Sequence, residues 1–345
     1  MKIRWQWRLE HNTILDMATL ADVARKANVS PSAASRILNH DSTFVVSRQV
    51  RLNVTRAAVE MGYRTPRQKK EGAVIEVGIA DWHSVPDSRK DEFDYSSLVP
   101  LSDTYASFSF SRLEKGKTRN LDAVIGVGIF DDEEIDELLI SSPNIVFLNS
   151  NDDASPFDRM FIDYDTPVEK AIDWLIEKGK RKIAFLSGVS IEKGIVIGKK
   201  RIRAIREIMQ KKGILDESLV RVGELTDESG REMAENVMKE NPDAIVLGTQ
   251  LIEKGVLDVV EKLENPPFLI LRRDIDLDYR EARYPVVRMS SVQLWQITLM
   301  LIYMRSRESG PPLKVFIEAS FETGRNNPGE PRDWNQSEKN VRKKS

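Results

Sequence analysis

The sequence predicts an α/β protein in which a headpiece of three short helices precedes a larger body built from parallel sheets in two lobes. Three observations predict this fold: capped amphipathic helices near the start, positive charge concentrated in the same stretch, and apolar strand-like runs that later alternate with helical stretches. The length of 345 residues exceeds one ordinary domain and suits a small module followed by a two-lobed body.

Composition excludes several classes of function. The chain contains no cysteine, which excludes disulfides, thiolate nucleophiles and cysteine-ligated metals. Apolar residues make up 41% and charged residues 31%, as in globular proteins. No apolar run approaches the roughly 18 residues of a membrane span, and residues 1–16 lack the apolar core of a secretory signal. We therefore expect a cytoplasmic protein with no membrane segment.

The net charge of −2 is distributed unevenly. Between Met17 and Gly72, ten Lys and Arg residues oppose four Asp and Glu residues, and the residues after Gly72 sum to a negative charge. A basic module on an acidic body suggests that only the module binds the phosphates of a nucleic acid. A solvated helical bundle with a basic face remains the alternative.

The first two helices are predicted from spacing and capping residues. Apolar residues at i, i+3, i+4 and i+7 place one helix over residues 19–27, and they are Leu20, Val23, Ala24 and Ala27. Thr19 and Asp22 form an imperfect capping box, and Asn28-Val29 forms a tight turn because Asn tolerates left-handed backbone. Ser30 then caps a second helix, with Pro31 at its first position, that runs to about Leu38.

A third helix follows Ser47, and the three helices together form a helix-turn-helix arrangement. The buried positions are Ala34, Ile37 and Leu38 in the second helix and Val50, Val54, Ala57, Ala58 and Met61 in the third. The opposite face of the second helix carries Pro31, Ser32, Ser35 and Arg36, which can reach a major groove. Arg36 is the only side chain there that can grip guanine in bidentate fashion. Arg48, Arg51 and Arg56, on or beside the third helix, are candidates for phosphate contacts.

The stretches Thr19–Ala24 and Asn28–Asn39 resemble the headpiece signature of the LacI/GalR (lactose/galactose repressor) family of transcription regulators. The family usually has Gly at position 28 and Thr-Val at Ala33-Ala34. The resemblance implies that Pro31, Ser32 and Arg36 read bases of double-stranded operator DNA. The expected backbone contacts are Thr19, Ser30, Ser35, Asn39, Arg48, Arg51, Tyr63, Lys69 and Lys70. Since one headpiece buries too little surface for tight specific binding, we expect a homodimer.

The linker after the headpiece departs from the family. Family members continue into a hinge helix that inserts a leucine pair into the minor groove. Here the segment 67–72 contains no leucine, and the first strand begins near Val74. We infer that this short basic linker, with Lys69 and Lys70, holds phosphates. A plain solvated linker is the alternative.

From Ala73 onward the βαβα order predicts parallel sheets with helices on both faces. The predicted strands are Val74–Ile79, Ala123–Ile129, Ile145–Leu148, Lys182–Leu186, Ala244–Leu247 and Phe268–Leu271. The predicted helices are Glu133–Leu139, Pro167–Lys178, Arg201–Lys211, Gly230–Glu240 and Lys254–Leu263. The resemblance implies a periplasmic-binding-protein-like core, with a first lobe over about 73–164 plus a helix near 291–306. The second lobe would then take 165–290 plus Val315–Phe321.

The resemblance also implies a small effector between the lobes, with partly altered contacts. Arg201 matches the family arginine that binds sugar hydroxyls, and a structural ion pair is its alternative role. Thr249-Gln250 stands where the family has Asn-Asp, and Arg273-Asp274 stands where the family has Asp-Asp or Asn-Asp. Losing acceptors for hydroxyl protons weakens the case for an ordinary sugar. The segment from Asp81 to Pro100 also leaves no room for the usual first-lobe helix.

No constellation of catalytic, metal-binding or cofactor-binding residues is recognisable in the sequence. The three histidines, His11, His40 and His83, lack metal-ligand spacing. Gly126-Val127-Gly128 lacks the third glycine of a dinucleotide fingerprint and more simply permits close packing. The acids at 131–134 open a helix, where its dipole favours them.

These expectations divide the chain into an extension (1–16, expected to be disordered), a headpiece (17–64), a linker (65–72), a core (73–324) and a disordered tail (325–345). The leading hypothesis is a repressor of carbohydrate-utilisation genes that responds to a sugar or related metabolite. A paralogue that binds DNA without a sugar effector, constitutively or under a protein partner's control, is the nearest rival. An enzyme with a vestigial headpiece is a third reading.

Overall fold

A computed structural model describes residues 18–41, 43–63, 74–82, 106–148, 156–276, 284–308 and 310–323. Several expectations fall outside these residues: those for the extension 1–16, the linker 65–72 with Lys69 and Lys70, the tail 325–345, and most of the stretch from Asp81 to Pro100. The side chain of Asp274 also lies outside them.

The headpiece consists of α1 (Leu20–Lys26), α2 (Pro31–Leu38) and α3 (Arg48–Glu60). Thr19 and Asp22 form the predicted capping box of α1, and the Ser30 hydroxyl accepts the Ala33 N–H at 3.1 Å to cap α2. Asn28 has φ 55°, as the predicted tight turn requires. The helices share a small apolar core made of Val23, Ala24, Ala34, Ile37, Leu38, Val54, Ala57 and Ala58.

The first sheet has six strands. Its elements in chain order are β1 (Ile75–Asp81), β2 (Phe108–Arg112), β3 (Ala123–Val127), α4 (Asp132–Ser141), β4 (Ile145–Leu148), β5 (Asp158–Asp163) and, much later, β12 (Lys314–Glu318). Within the described residues, one helix, α4, connects two of its neighbouring strands, β3 and β4. The spatial order is β12-β5-β4-β3-β1-β2, and the pairs from β5 through β2 are parallel. Phe147 lies so near Gly126 that a Cβ there would approach it to 2.6 Å, which confirms a packing role for that glycine.

The second sheet has seven strands. Its strands and the helices that precede or connect them are α5 (Asp165–Glu177), β6 (Ile183–Glu192), β7 (Ile195–Ile197), α6 (Lys199–Lys211), β8 (Val220–Glu224), α7 (Asp227–Met238), β9 (Ala244–Leu247), α8 (Glu253–Val260), β10 (Phe268–Asp276), β11 (Val286–Ser290) and β13 (Ser320–Glu322). Helix α9 (Ser291–Arg305) follows β11 in the chain, and from Gln296 onward it belongs with the first sheet. The order is β13-β11-β10-β9-β6-β7, and β8 pairs with β6. Strands β7 and β13 are antiparallel to their neighbours.

The structure corrects one assignment of the body. The segment Val315–Phe321, expected in the second lobe as a unit, is divided: β12 pairs in the first sheet and β13 in the second. Ala319 is the single residue between the two strands. Its N–H donates to the carbonyl of Asp163, the last residue of β5, at 2.9 Å, and directly after it β13 pairs antiparallel with β11.

The described residues form two compact units. The first takes residues up to Met160 together with Gln296–Val315, and the second takes Phe161–Trp295 together with residues from Phe316. Both units have parallel-sheet cores of buried Ile, Leu and Val. None of the helices in the described ranges has the length and apolar character needed to span a membrane.

The headpiece belongs to the first unit and packs on it through α3. Leu52 and Val59 are buried, 4% and 7% exposed, in one apolar cluster with Leu138 and Leu139 of α4. Arg56, expected at a DNA phosphate, instead pairs with Asp136 of α4, its Nε donating to Oδ1 at 2.9 Å. Its position at i+4 from Leu52, on the face toward α4, explains the difference.

Candidate nucleic-acid interface and effector site

The face of α2 that the sequence assigns to base reading is accessible. Pro31, Ser32 and Asn39 are exposed, and Pro31 occupies the first turn, where its missing N–H costs no helical hydrogen bond. Ser35 lies one turn before Asn39 and its hydroxyl accepts from the Asn39 amide at 3.3 Å. Short side chains on this face allow a helix to approach base edges closely.

Arg36 is held at the rim of the same face by the loop that follows α2. Its Nε donates to Asp41 Oδ2 at 2.6 Å, and its Nη2 donates to Thr43 Oγ1 at 2.9 Å. The guanidinium also lies 4.5 Å from the centroid of the Phe44 ring, a cation–π distance. The side chain stays 42% exposed and uses two of its five N–H donors in these contacts. It is therefore fixed in direction without being buried.

The Asp41 carboxylate anchors this arrangement. Hydrogen bonds from the Thr43 hydroxyl, then from Arg36 and from the Thr43 backbone N–H, lower the pKa of Asp41 to about 2. The carboxylate is consequently ionised throughout the neutral range, and Arg36 keeps its partner. We define Arg36, Asp41, Thr43 and Phe44 as the arginine clamp.

Sequence reasoning did not identify Asp41, Thr43 or Phe44. Their role depends on the loop returning to Arg36 after a left-handed His40, with φ 51°. The available signal was an acid five residues after an arginine at a helix end, where Asp favours a local turn.

The residues expected to contact the DNA backbone fall into two groups. Thr19 and Ser30 use their hydroxyls as helix caps, so their first role is structural. Arg48 is exposed and Arg51 half-buried, on the first turn of α3. Tyr63 is half-buried just after α3, and this burial raises the pKa of its phenol.

In the second unit, Arg201 lies at the start of α6 and points to β6. Its Nε donates to Ser187 Oγ at 3.1 Å and its Nη2 to the Gly188 carbonyl at 3.2 Å. Gly198, with φ +92°, allows this approach, because a Cβ there would stand 2.9 Å from Arg201 Nη2. These two contacts hold the guanidinium in a fixed direction beside the end of β6.

The other expected effector residues follow β9 and β10. A Cβ on Gly248 would come within 2.6 Å of Ser187 Oγ, so the end of β9 adjoins the Arg201 contact. Thr249 is buried and its hydroxyl accepts the Leu251 N–H at 3.3 Å, whereas Gln250 is half-buried. Arg273 in β10 pairs with Glu253 of α8 at 2.7 Å.

The geometry thus places Arg201 and Gly248, the residue before Thr249, beside Ser187. It also gives Arg273 a carboxylate partner that sequence reasoning missed. The backbone of Asp274 lies in β10 next to Arg273. No group of three or more His, Asp or Glu side chains in the described ranges is arranged to hold a metal ion.

Comparisons with known proteins agree with this organisation. The family model "Bacterial regulatory proteins, lacI family" matches residues 19–66. The HTH-type transcriptional regulator GalR of Streptococcus thermophilus is 27% identical over 269 residues, covering 71% of this chain and 78% of that protein. The HTH-type transcriptional repressor MelR of Bacillus subtilis (strain 168) is 25% identical over 268 residues, covering 71% of this chain and 77% of that protein.

Solved structures share the fold. A lac repressor dimer bound to operator and the anti-inducer ONPF superposes with a TM-score of 0.54 at 18% identity, covering 90% of this chain and 98% of that one. The complex of the transcriptional regulator CelR with cellobiose gives a TM-score of 0.55 at 19% identity, covering 90% and 99%. Identities this low establish the fold alone, the helix-turn-helix headpiece followed by two α/β lobes.

Proposed function

Because the chain is a distant member of the LacI/GalR family of DNA-binding transcription regulators, we propose that it represses genes for carbohydrate use and responds to a sugar or related polar metabolite. The observation that carries the proposal is the accessible face of α2, with the arginine clamp fixed at its rim. This is a family of regulators and not of enzymes, which leaves no support for the reading as an enzyme.

For DNA we propose that Pro31, Ser32 and Arg36 read base edges in the major groove. Arg36 keeps three N–H donors beyond those used in the clamp, enough for a bidentate contact to guanine. The proposed backbone contacts are Thr19, Ser30, Ser35, Asn39, Arg48, Arg51, Tyr63 and, in the linker, Lys69 and Lys70.

We further propose that the protein acts as a homodimer on a pseudo-palindromic operator. A single helix-turn-helix unit contacts few base pairs, and two half-sites about one helical turn apart raise affinity and specificity. Analytical ultracentrifugation at micromolar concentration tests this, and a protein that stays monomeric both free and on DNA would overturn it.

The proposed effector contacts are Arg201, Thr249, Gln250, Arg273 and Asp274. Arg201 supports a hydroxyl-rich ligand, since its guanidinium is held in a fixed direction beside Ser187 and the Gly188 carbonyl and its fork of N–H donors suits ligand oxygens. One observation favours the rival without a sugar effector: Arg273 is already paired with buried Glu253, so that position offers less to a ligand.

Thermal-shift screening with sugars and sugar phosphates separates the two. An effector at 100 times its Kd should stabilise the folded state by about 2.7 kcal/mol. Arg201→Ala should abolish the shift, while Arg203→Ala, an exposed neighbour on α6, should keep it. No shift with any compound, together with intact operator binding, would favour the rival.

The proposed regulatory role is tested by mapping bound sites in the genome. Sites next to genes for sugar transport or breakdown, with transcription rising when the gene for this protein is deleted, are the expected result. Binding without any change in neighbouring transcripts would contradict repression.

A further inference from the structure

Helix α3 has two apolar faces, and only one of them packs in the apolar core of the headpiece. Val54, Ala57 and Ala58 face the core shared with α1 and α2. Leu52 and Val59 lie on another face, seven residues apart and therefore on one line of the helix. An isolated headpiece would expose both side chains to water, which favours a partner that covers them.

The first unit supplies that partner. Leu52 and Val59 join Leu138 and Leu139 of α4 in a single buried cluster. The ion pair between Arg56 and Asp136 lies on the same line of α3, between the two apolar residues, with Nε 2.9 Å from Oδ1 and a second contact from Nη2. Apolar residues flanking a matched charge pair specify one orientation of the two helices.

A second contact lies just past the end of α3. Gly62 has φ +65°, and a Cβ at this position would stand 3.5 Å from the Gly310 carbonyl oxygen. The left-handed turn at the end of the headpiece therefore lies close against the backbone that follows α9. Two separated contacts restrain rotation as well as translation of the headpiece on its unit.

Docking leaves the reading face free. With the headpiece in this position Pro31, Ser32 and Asn39 remain exposed, and Arg36 keeps 42% of its side chain accessible. The base-reading surface lies on α2, whereas the residues that face α4 lie on α3, so docking does not cover the base-reading surface.

We propose that the headpiece binds DNA while docked on the first unit, and that Arg56 and Asp136 act as positioning residues that fix its place there. This docked interface would take over the positioning that a leucine-bearing hinge would otherwise provide. Only the statement about DNA binding rests on the proposed function. The docking itself is a contact within the first unit and does not depend on it.

Distance measurement between spin labels tests the docking. The chain lacks cysteine, so Ala21→Cys on α1 and Glu133→Cys on α4, both at exposed positions, label the full-length protein at two defined sites. With labelled protein diluted in an excess of unlabelled protein, so that only distances within one protomer are measured, we expect one narrow distance distribution that is unchanged when an operator fragment is added. A broad distribution in the free protein, or a new distance on DNA, would overturn the proposal.

Charge reversal tests the positioning residues. Arg56→Asp in the labelled protein should broaden the distribution and weaken operator binding about tenfold, since a freed headpiece must be ordered again on binding. The double variant with Arg56→Asp and Asp136→Arg should restore both the narrow distance and the affinity. Failure of the double variant to restore either one, with circular dichroism showing a folded protein, would contradict the assignment.

If the charge reversal prevents folding, the milder Arg56→Gln variant replaces it. This variant should also broaden the distance distribution and weaken operator binding, by less than Arg56→Asp. An unchanged distance in Arg56→Gln and Arg56→Asp alike would refute a positioning role. If the wild-type protein gives the narrow distance but binds no operator, the docking stands and the proposed function fails.

Discussion

If Arg36 reads a base as proposed, its side chain is already ordered for that contact before DNA is present. Arginine loses several rotatable bonds when it is fixed, and this ordering normally opposes binding. The arginine clamp imposes much of that order in the free protein, through Asp41, Thr43 and the Phe44 ring. The exposed position of the guanidinium keeps it available to a base.

The role of Arg36 is tested by comparing operator with random DNA. Arg36→Ala should cost about 1–3 kcal/mol on the operator and relax base preference at one position. Arg51→Ala should instead weaken binding to all sequences alike, because a phosphate contact carries no sequence information. Fluorescence anisotropy with both DNAs measures this, and equal losses on the two for Arg36→Ala would show that the reading helix is misplaced.

The clamp should also give the headpiece a defined acid sensitivity. Hydrogen bonds from Thr43 and Arg36 lower the pKa of Asp41 in the folded state to about 2, from 3.8. A lowered folded-state pKa stabilises the fold above pH 4, and this contribution disappears as the pH falls toward 2. Asp41→Asn should therefore flatten the decline in stability between pH 4 and 2, as followed by acid titration with circular dichroism. An unchanged decline would contradict it.

Residue roles set by neighbours in sequence could be predicted, and roles set by distant neighbours could not. The caps Thr19 and Ser30 and the turn at Asn28 follow from local backbone chemistry. Arg56 was expected at phosphate, yet its partner Asp136 is eighty residues away. The spacing of residues in a helix shows which of them share a face, but it does not show which other element that face contacts.

Among the secondary-structure elements, β5, α9 and the segment before β12 are joined by one buried charge pair. Arg305 donates to both Asp158 oxygens at 2.8 Å, and the Leu313 N–H donates to the same carboxylate at 2.8 Å. Both side chains are almost fully buried, 4% and 0% exposed. Removing the Arg305 charge therefore leaves the Asp158 carboxylate buried without its counter-ion.

Arg305→Met should destabilise the protein by about 3–5 kcal/mol, the usual cost of stranding a buried charge. The matched control is Lys170→Met, whose pair with Glu318 is 59% and 50% exposed and should contribute less than about 1 kcal/mol. Urea unfolding followed by tryptophan fluorescence compares the two. Similar midpoints for both variants would show that the buried pair stabilises little.

Buried strands could be predicted better than edge strands. The continuous apolar runs of β4 and β9 were predicted with the bounds that the structure shows. Strand β2, Phe108–Arg112, alternates Phe and Ser at the sheet edge and has no such run. Strand β7 depends on the turn at Lys193 and Gly194, both with positive φ, which folds the end of β6 back into a hairpin.

At the scale of the whole molecule, the uneven charge predicts a strong salt dependence of DNA binding. If Arg48, Arg51, Lys69 and Lys70 of each protomer contact phosphates, a dimer displaces counterions from about eight phosphates, giving a log–log slope of about −7. Replacing both Lys69 and Lys70 by Gln should reduce the slope by about half. Titrations from 50 to 200 mM salt measure it, and an unchanged slope would indicate a plain solvated linker.

The parallel sheets could be predicted from the βαβα order, whereas the lobe boundary near 164 came from the family resemblance; the described residues divide into two units after Met160. The altered effector positions could be located, but their chemistry could not be predicted. The partner of Arg273 is Glu253, a residue that no sequence pattern linked to it. Ligand identity depends on such pairings, which decide how many donors and acceptors remain for a ligand.

The second apolar face of α3 also bears on how this regulator could be re-engineered. A chimera that joins the headpiece of one regulator to the core of another requires that the two parts do not depend on each other's surfaces. Here Leu52, Arg56 and Val59 are fitted to one particular helix of the body. A transferred headpiece without α4 would expose Leu52 and Val59, and the remaining body would expose the apolar side chains of α4 that they cover. The hybrid should therefore keep its solubility and specificity only if α4 is transferred together with the headpiece.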